Sequence, residues 1–192
     1  MLVNKPLFLF VGRSASGKTT IADMLSDKFG HKQVYSYTTR KPRYEGEIGH
    51  VFVTEDEFHS LENMVAYTFY DNNHYGTTSD QLDQCSIYVV DVPGVETLLN
   101  KYKTNRPIVI LYFDTTVYTR INRMIDRGDS DMKIIARLLQ DEKDDWLNQL
   151  DRLVWHYDRI MGTNVDLYPI NANGDQDSVL KMVQYYMEGY EW

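Results

Sequence analysis

Eight residues near the start of the chain, Gly12-Arg13-Ser14-Ala15-Ser16-Gly17-Lys18-Thr19, match the pattern G-x-x-x-x-G-K-[ST] in full. At average residue frequencies a chain of this length matches it by chance about once in a hundred. The chemistry is anion capture. Between a strand and a helix, such a loop aims backbone N–H groups and the positive helix end at one point. Gly12 and Gly17 let the backbone approach and turn without a Cβ clash, and Ser14, Ala15, Ser16 and Thr20 complete the cradle. Lys18 would reach the β and γ phosphates of a nucleotide, and the Thr19 hydroxyl would ligate Mg²⁺. The bland alternative is a glycine-rich turn with a solvated lysine.

Two further basic groups could hold phosphate. In Arg40-Lys41-Pro42-Arg43 the proline biases Lys41 towards an extended conformation, leaving Arg40 and Arg43 to grip one phosphate between them. Arg123 and Arg127 stand one helical turn apart, Arg120 shares their face at i, i+3, and Arg137 lies on the next predicted helix. Between them runs the polar, glycine-led stretch Gly128-Asp129-Ser130-Asp131. Taken singly, each of these groups reads equally as solvated surface.

The elements that must position these residues alternate. Continuous apolar runs at 7–11, 87–90 and 108–113 suit strands buried on both faces of a parallel sheet. Amphipathic stretches predict helices at 18–29, 93–102, 116–126 and 132 to about 157, with a last one after Asp175. Residues 36–79 break the rhythm. There Thr54 and Glu57 form a capping box opening a short helix to about Met64, and Asp71-Asn72-Asn73 turns between two short strands. The expectation is an α/β fold with a parallel five-stranded sheet flanked by helices, carrying a small mixed insertion.

Composition limits the partners. With 20 Lys and Arg against 28 Asp and Glu the net charge is −8, which argues against a nucleic-acid polymer, whose binding needs a basic face. Part of the acidic excess is the run Asp141-Glu142-Lys143-Asp144-Asp145. The single cysteine, Cys85, forms no internal disulfide, which suits a cytoplasmic protein. No apolar stretch approaches the roughly 20 residues of a membrane helix, and the N-terminal apolar run reads as a strand and not as a signal peptide. One domain, as a monomer or homodimer, is expected.

Taken together, GRSASGKTT, SYTTRKPR, HYGT, VVDVPG and RMIDRG followed by ARL resemble the guanylate kinases in order and rough spacing, over nearly the whole chain. The resemblance implies a P-loop core (residues 1–35, 80–126 and 158–192), a monophosphate-binding insertion (36–79) and a helical lid (127–157). It implies transfer of a phosphoryl group from MgATP to GMP or dGMP. ATP would lie on residues 12 and 14–20, with Thr19 on the metal. Ser36, Arg40 and Arg43 match GMP contacts, Tyr75 a phosphate contact and Thr77 a contact near the base. Lys18, Arg40, Arg123, Arg127 and Arg137 would surround the transferred group.

Three positions depart from the family pattern. An acid that reads guanine is replaced by Ala66, and a second strand acid by Val89. Asp91 is then the carboxylate left on that strand, either to read the base amine or to support Mg²⁺ through water. His50 stands where the family carries a tyrosine, as a pH-sensitive phosphate donor or as a loop histidine. Gly46 and Gly49 flank a shortened loop, and Glu62 and Asp71 are nearby acids that could replace the missing one. These departures leave open a kinase for a different (deoxy)nucleoside monophosphate, and, from another class, a non-catalytic peptide-binding module of the same fold. The intact Gly17-Lys18-Thr19 argues against the latter.

Overall fold

The computed structural model describes residues 5–141 and 145–190. Strand β1 (Leu7–Val11) is buried along its whole length. It pairs in parallel with β6 (Ile87–Val89) on one side and β7 (Ile108–Asp114) on the other, and β8 (Val165–Asn171) completes the order β6-β1-β7-β8. Side chains of β1 alternate between two apolar layers. Leu7, Leu9 and Val11 pack on one side with Val95, Leu98 and Leu150, while Phe8 and Phe10 pack on the other with Ile21, Leu25 and Val183. The sheet is therefore covered on both faces, as its unbroken apolar strands require.

The expected fifth strand is reduced to one parallel bridge, Gln33 to Ile87. After the Val34 amide bonds the Ile87 carbonyl at 2.8 Å, the chain leaves for a second sheet and no ladder follows. The strand β8 escaped the sequence reading because Pro169 interrupts it. An edge strand tolerates that residue, and β8 is the edge.

The second sheet, β3-β2-β5-β4, is built from β2 (Ser36–Thr38), β3 (His50–Phe52), β4 (Met64–Tyr70) and β5 (Asn73–Thr78). Asp71 and Asn72 both take positive φ, 48° and 57°, the two-residue turn whose twist matches a hairpin. The Thr54/Glu57 capping box is formed, with the Glu57 amide donating to the Thr54 hydroxyl at 3.2 Å and the Thr54 amide to the Glu57 carboxylate at 2.7 Å. The helix it opens, α2 (Glu55–His59), stops short of Met64, because Asn63 turns left-handed (φ 56°) and Met64 enters β4.

The remaining helices are α1 (Lys18–Phe29), α3 (Ser79–Gln84), α4 (Val92–Lys101), α5 (Val117–Asp126), α6 (Asp131–Asp141), α7 (Trp146–Trp155) and α8 (Gln176–Glu188). The single helix expected from 132 to about 157 is thus α6 and α7, followed by a π-helical turn, His156–Ile160. Asp145, at φ −87° and ψ 75°, is non-helical and precedes α7. Residues 142–144, in the middle of the acidic run, lie outside the described residues. Among the described residues, no helix is long and apolar enough to cross a membrane.

At the end of the sheet away from the phosphate loop, buried Arg106 donates to the carbonyls of Lys5 (2.7 Å), Pro6 (3.0 Å), Leu82 (2.7 Å) and Cys85 (2.8 Å). The side chain ties the start of β1 to α3. Replacing it leaves several carbonyls unpaired in the interior, so Arg106→Ala is expected to lower stability by about 3–5 kcal/mol in urea denaturation.

Candidate functional site

The phosphate loop leaves the C-terminal end of β1, where α/β sheets place their ligands. A Cβ on Gly12 would lie 2.8 Å from the Phe113 carbonyl oxygen, so β7 passes too close for any other residue. Gly17 at φ 97° and Ala15 at φ 60° are left-handed, backbone strain of the kind stored at functional loops. Gly17 caps α1 with no side-chain hydrogen bond, which leaves the first helical N–H groups facing outward. Lys18 folds back so that its Nζ donates to the carbonyls of Gly12 and Arg13 and to Ser16 Oγ. Burial pushes its pKa down to about 8, against the opposing pull of Asp141 and Asp91.

A carboxylate already sits on this loop. Asp141, at the end of α6, accepts from the Ser14 amide at 3.0 Å and from Arg120 Nη1 at 2.6 Å. Arg120 is 1% exposed, and its Nε and Nη2 have no hydrogen-bond partner among the described residues. The pair joins α5, α6 and the phosphate loop inside the protein. The sequence reading missed Asp141, and it left Arg120 without a role.

Arg123 takes a different place from the one expected. Its Nη1 donates to Ser16 O (3.0 Å) and Ala15 O (3.4 Å), and its Nη2 to Ala172 O (2.8 Å) and Gly174 O (3.2 Å). With both terminal nitrogens on main-chain carbonyls, Arg123 braces the loop from outside. Arg127 pairs with Asp129, which also holds Lys133 at 2.9 Å and Arg137 at 3.6 Å. Burial works against ionisation of Asp129, but hydrogen bonds from Arg127 and Lys133 pull its pKa down to about 2. A cleft of about 440 Å³ opens beside the loop, lined by Thr19, Thr20, Arg123, Arg127, Ala172 and Gln176 among others. A larger hollow, about 690 Å³ around Lys5, His31 and Met187, lies at the opposite end of the sheet, away from these cations.

On the second sheet the predicted residues gather around another carboxylate. Glu47 accepts from both terminal nitrogens of Arg40, at 2.9 and 3.2 Å, and from the Arg43 amide at 2.6 Å. The hydrogen bond from Arg40 holds its carboxyl at about 2. His50 packs edge-on against Tyr75, with ring centroids 5.8 Å apart, and burial, then the Arg40 charge, lowers its pKa. His50 is thus neutral near pH 7. Thr77 is fully buried in register with Ala66, and buried Ser36 donates to the hydroxyl of Tyr88 at 3.5 Å. Tyr88 went unnoticed in the sequence.

Asp91 caps α4 through the Gly94 amide (2.9 Å) and accepts from Thr68 Oγ1 of β4 at 2.7 Å. Its Oδ1 is committed to joining the two sheets. Of the nearby acids that could replace the one missing at Ala66, Asp71 stands exposed in the hairpin turn.

No protein-family model matches the chain. A guanylate kinase of Mycoplasma genitalium is 27% identical over 150 residues, 71% of this chain and 62% of its own length. A guanylate kinase of Fusobacterium nucleatum is 26% identical over 184 residues, 88% of this chain and 96% of its own. The chain belongs to the guanylate kinase family. A crystal structure of guanylate kinase from Anaplasma phagocytophilum superposes with a TM-score of 0.56 over 97% of this chain and 86% of that one, at 12% identity, which speaks to the fold alone. The chain spans less than two thirds of the Mycoplasma relative's length.

In this guanylate kinase family member, an anion reaching the phosphate loop competes with Asp141 for the Ser14 amide. Removing the carboxylate's charge while keeping an amide oxygen as acceptor separates that competition from the fold. Asp141→Asn is expected to tighten pyrophosphate binding by tenfold or more in calorimetry, since a unit charge within several ångströms is worth over 1 kcal/mol at intermediate dielectric. Its melting temperature is expected to fall, because Arg120 loses its ion pair.

Proposed function

We propose that the chain transfers the γ-phosphoryl group of MgATP to a nucleoside monophosphate, with GMP or dGMP as acceptor. The observation that carries this reading is the phosphate loop itself, with Lys18, Thr19, Arg123 and Arg127 lining the cleft beside it, while Arg40 and Arg43 gather on Glu47 of the second sheet. Asp91, within electrostatic reach of Lys18, is bonded to Thr68 of β4, and Tyr70 at the end of the same strand feels Arg137, Asp141 and Tyr75. A donor phosphate on the loop and an acceptor phosphate on Arg40 and Arg43 would therefore approach each other across this cleft.

Each residue has a task that follows from its place. Loop amides and Lys18 hold the β and γ phosphates, and Arg123 keeps the loop in shape. Arg40 and Arg43 exchange Glu47 for the acceptor phosphate, with Tyr75 beside them. Arg127 and Arg137 supply charge from the α6 side of the cleft, an assignment that takes residues 127–157 as the lid. The acceptor phosphate is already an oxyanion, so the transfer needs positioning and charge compensation more than a base. Thr19 lines the cleft, exposed on the first turn of α1, and fits a Mg²⁺ ligand. Bound there with ATP, the ion would neutralise charge on the β and γ phosphates. Asp91, its Oδ1 committed to Gly94 and Thr68, acts in this scheme as a latch between the two sheets.

A second reading, a related kinase for another base, is favoured by one feature. Where the family reads guanine with acids, this chain offers Ala66, Val89 and the hydroxyls of Ser36, Thr77 and Tyr88, with no carboxylate at the matched positions. A site that loses a buried partner for a substrate N–H loses up to about 10⁴-fold in discrimination. ADP formation over a panel of ribo- and deoxynucleoside monophosphates decides between them. Turnover of GMP or dGMP supports the first reading, and a flat response to both alongside turnover of another base replaces it with the second. For whichever acceptor is turned over, Arg43→Ala is expected to raise the acceptor KM about tenfold or more while leaving the KM for ATP within about twofold.

Lys18 sets a pH dependence for the donor. Its folded pKa of about 8 lies below the ordinary lysine value of 10.5, so the ammonium that binds phosphate is present below pH 8 and lost above it. Bound polyphosphate favours the charged form, so binding above pH 8 takes up a proton. The ATP dissociation constant is expected to stay level from pH 6.5 to 7.5 and to rise up to about tenfold per unit above pH 8, with proton uptake visible as a buffer-dependent heat.

A further inference from the structure

On the outer side of the second sheet, three side chains that the proposed activity does not use converge. Glu55 and His59 lie one turn apart on α2, and His74 lies on β5. His59 Nε2 and His74 Nε2 are each 3.8 Å from Glu55 Oε2, and the three ligand atoms all lie within 4.8 Å of one another. A tetrahedral ion with bonds of 2.0–2.1 Å holds its ligands about 3.4 Å apart. Small side-chain adjustments close that gap, and Glu55 and His59, both more than 60% exposed, are free to make them.

His74 is the fixed member. Its ring is 84% buried, stacked on Phe58 at 5.3 Å and flanked by Phe69 at 4.9 Å. Its Nδ1 is 2.9 Å from the Tyr67 hydroxyl. With the Nδ1 proton donated to that oxygen, the Nε2 lone pair faces Glu55 and His59. Metal-bound histidines are oriented in this way, by a hydrogen bond at the other ring nitrogen. We propose that Glu55, His59 and His74 form a site for a divalent transition cation of the zinc class, with water completing the coordination. Two imidazoles and one carboxylate select such an ion over Mg²⁺, which prefers all-oxygen octahedra.

The ion would staple α2 to β5 next to the acceptor side. The His74 amide donates to Thr39 Oγ1 at 3.0 Å, and the Thr39 amide donates back to the His74 carbonyl at 3.2 Å. Arg40 follows Thr39, and Tyr75 follows His74. Binding would therefore order β5, which carries Tyr75, and the segment after β2, which carries Arg40, without touching either residue.

The test is titration of the intact chain with Zn²⁺, followed by calorimetry and by ¹⁵N imidazole signals. One equivalent is expected to bind, shifting the ring signals of His59 and His74 and raising the melting temperature, while Mg²⁺ alone does neither. His59→Ala, at an exposed position that leaves the fold intact, is expected to weaken Zn²⁺ about a hundredfold, since even outer-shell partners are worth 10- to 100-fold. Glu55→Gln is expected to weaken it less. The proposal is overturned if His59→Ala binds as tightly as the natural chain, or if Zn²⁺ shifts His31, His50 or His156 and leaves His59 and His74 in place.

Discussion

Clustered positive charge has to be neutralised before an acidic chain can fold around it, and three carboxylates do so here. Asp141 answers Arg120 and the phosphate loop, Glu47 answers Arg40 and Arg43, and Asp129 answers Arg127, Lys133 and Arg137. Each stands on a group of donors suited to a phosphate. A net charge of −8 is thus compatible with clustered cations, because each cluster carries its own acid. The carboxylates also decide geometry, because Asp141 draws the end of α6 onto the loop after β1, and Asp129 gathers cations of α5 and α6 around one point.

The parallel sheet supplies the other half of the arrangement. Phosphate loop, Asp91 and Asn171 all sit at or just beyond the C-terminal ends of their strands, so the backbone itself presents the cleft. Asp91 then carries position from the core to the second sheet through Thr68. Gly94 makes this junction tight, since a Cβ there would come within 2.5 Å of Val90 Cγ2 and 2.9 Å of Asp91 Oδ1.

Local signals were readable in the sequence, and distant partnerships were not. The phosphate loop, the limits of α1, the Thr54/Glu57 box and the hairpin turn depend on neighbours within a few residues, where glycine, hydroxyl and carboxylate types dictate the backbone. Ser14 and Asp141 are 127 residues apart, and nothing in either neighbourhood announces the other. Arg123 was legible as a cation near the cleft, but its commitment to carbonyls depends on where β8 delivers Ala172 and Gly174. The break between α6 and α7 was hidden because no glycine or proline marks it in residues 141–146. Glu55 and His59 read as ordinary helix surface until β5 brings His74 beside them.

The bracing role of Arg123 divides α5 mechanically. Through one guanidinium, the phosphate loop and the turn after β8 are held together, with the first part of the helix clamped to them by Arg123 directly and by Arg120 through Asp141. Beyond that clamp come Arg127, then Gly128 at φ 79°, where the chain turns into α6. Bending at the end of α5 meets one restraint, Asp141, whose carboxylate ties the far end of α6 to the Ser14 amide and to Arg120. A swing of α6 therefore has to release that carboxylate first, so the floor and the cover of the cleft are coupled through one side chain.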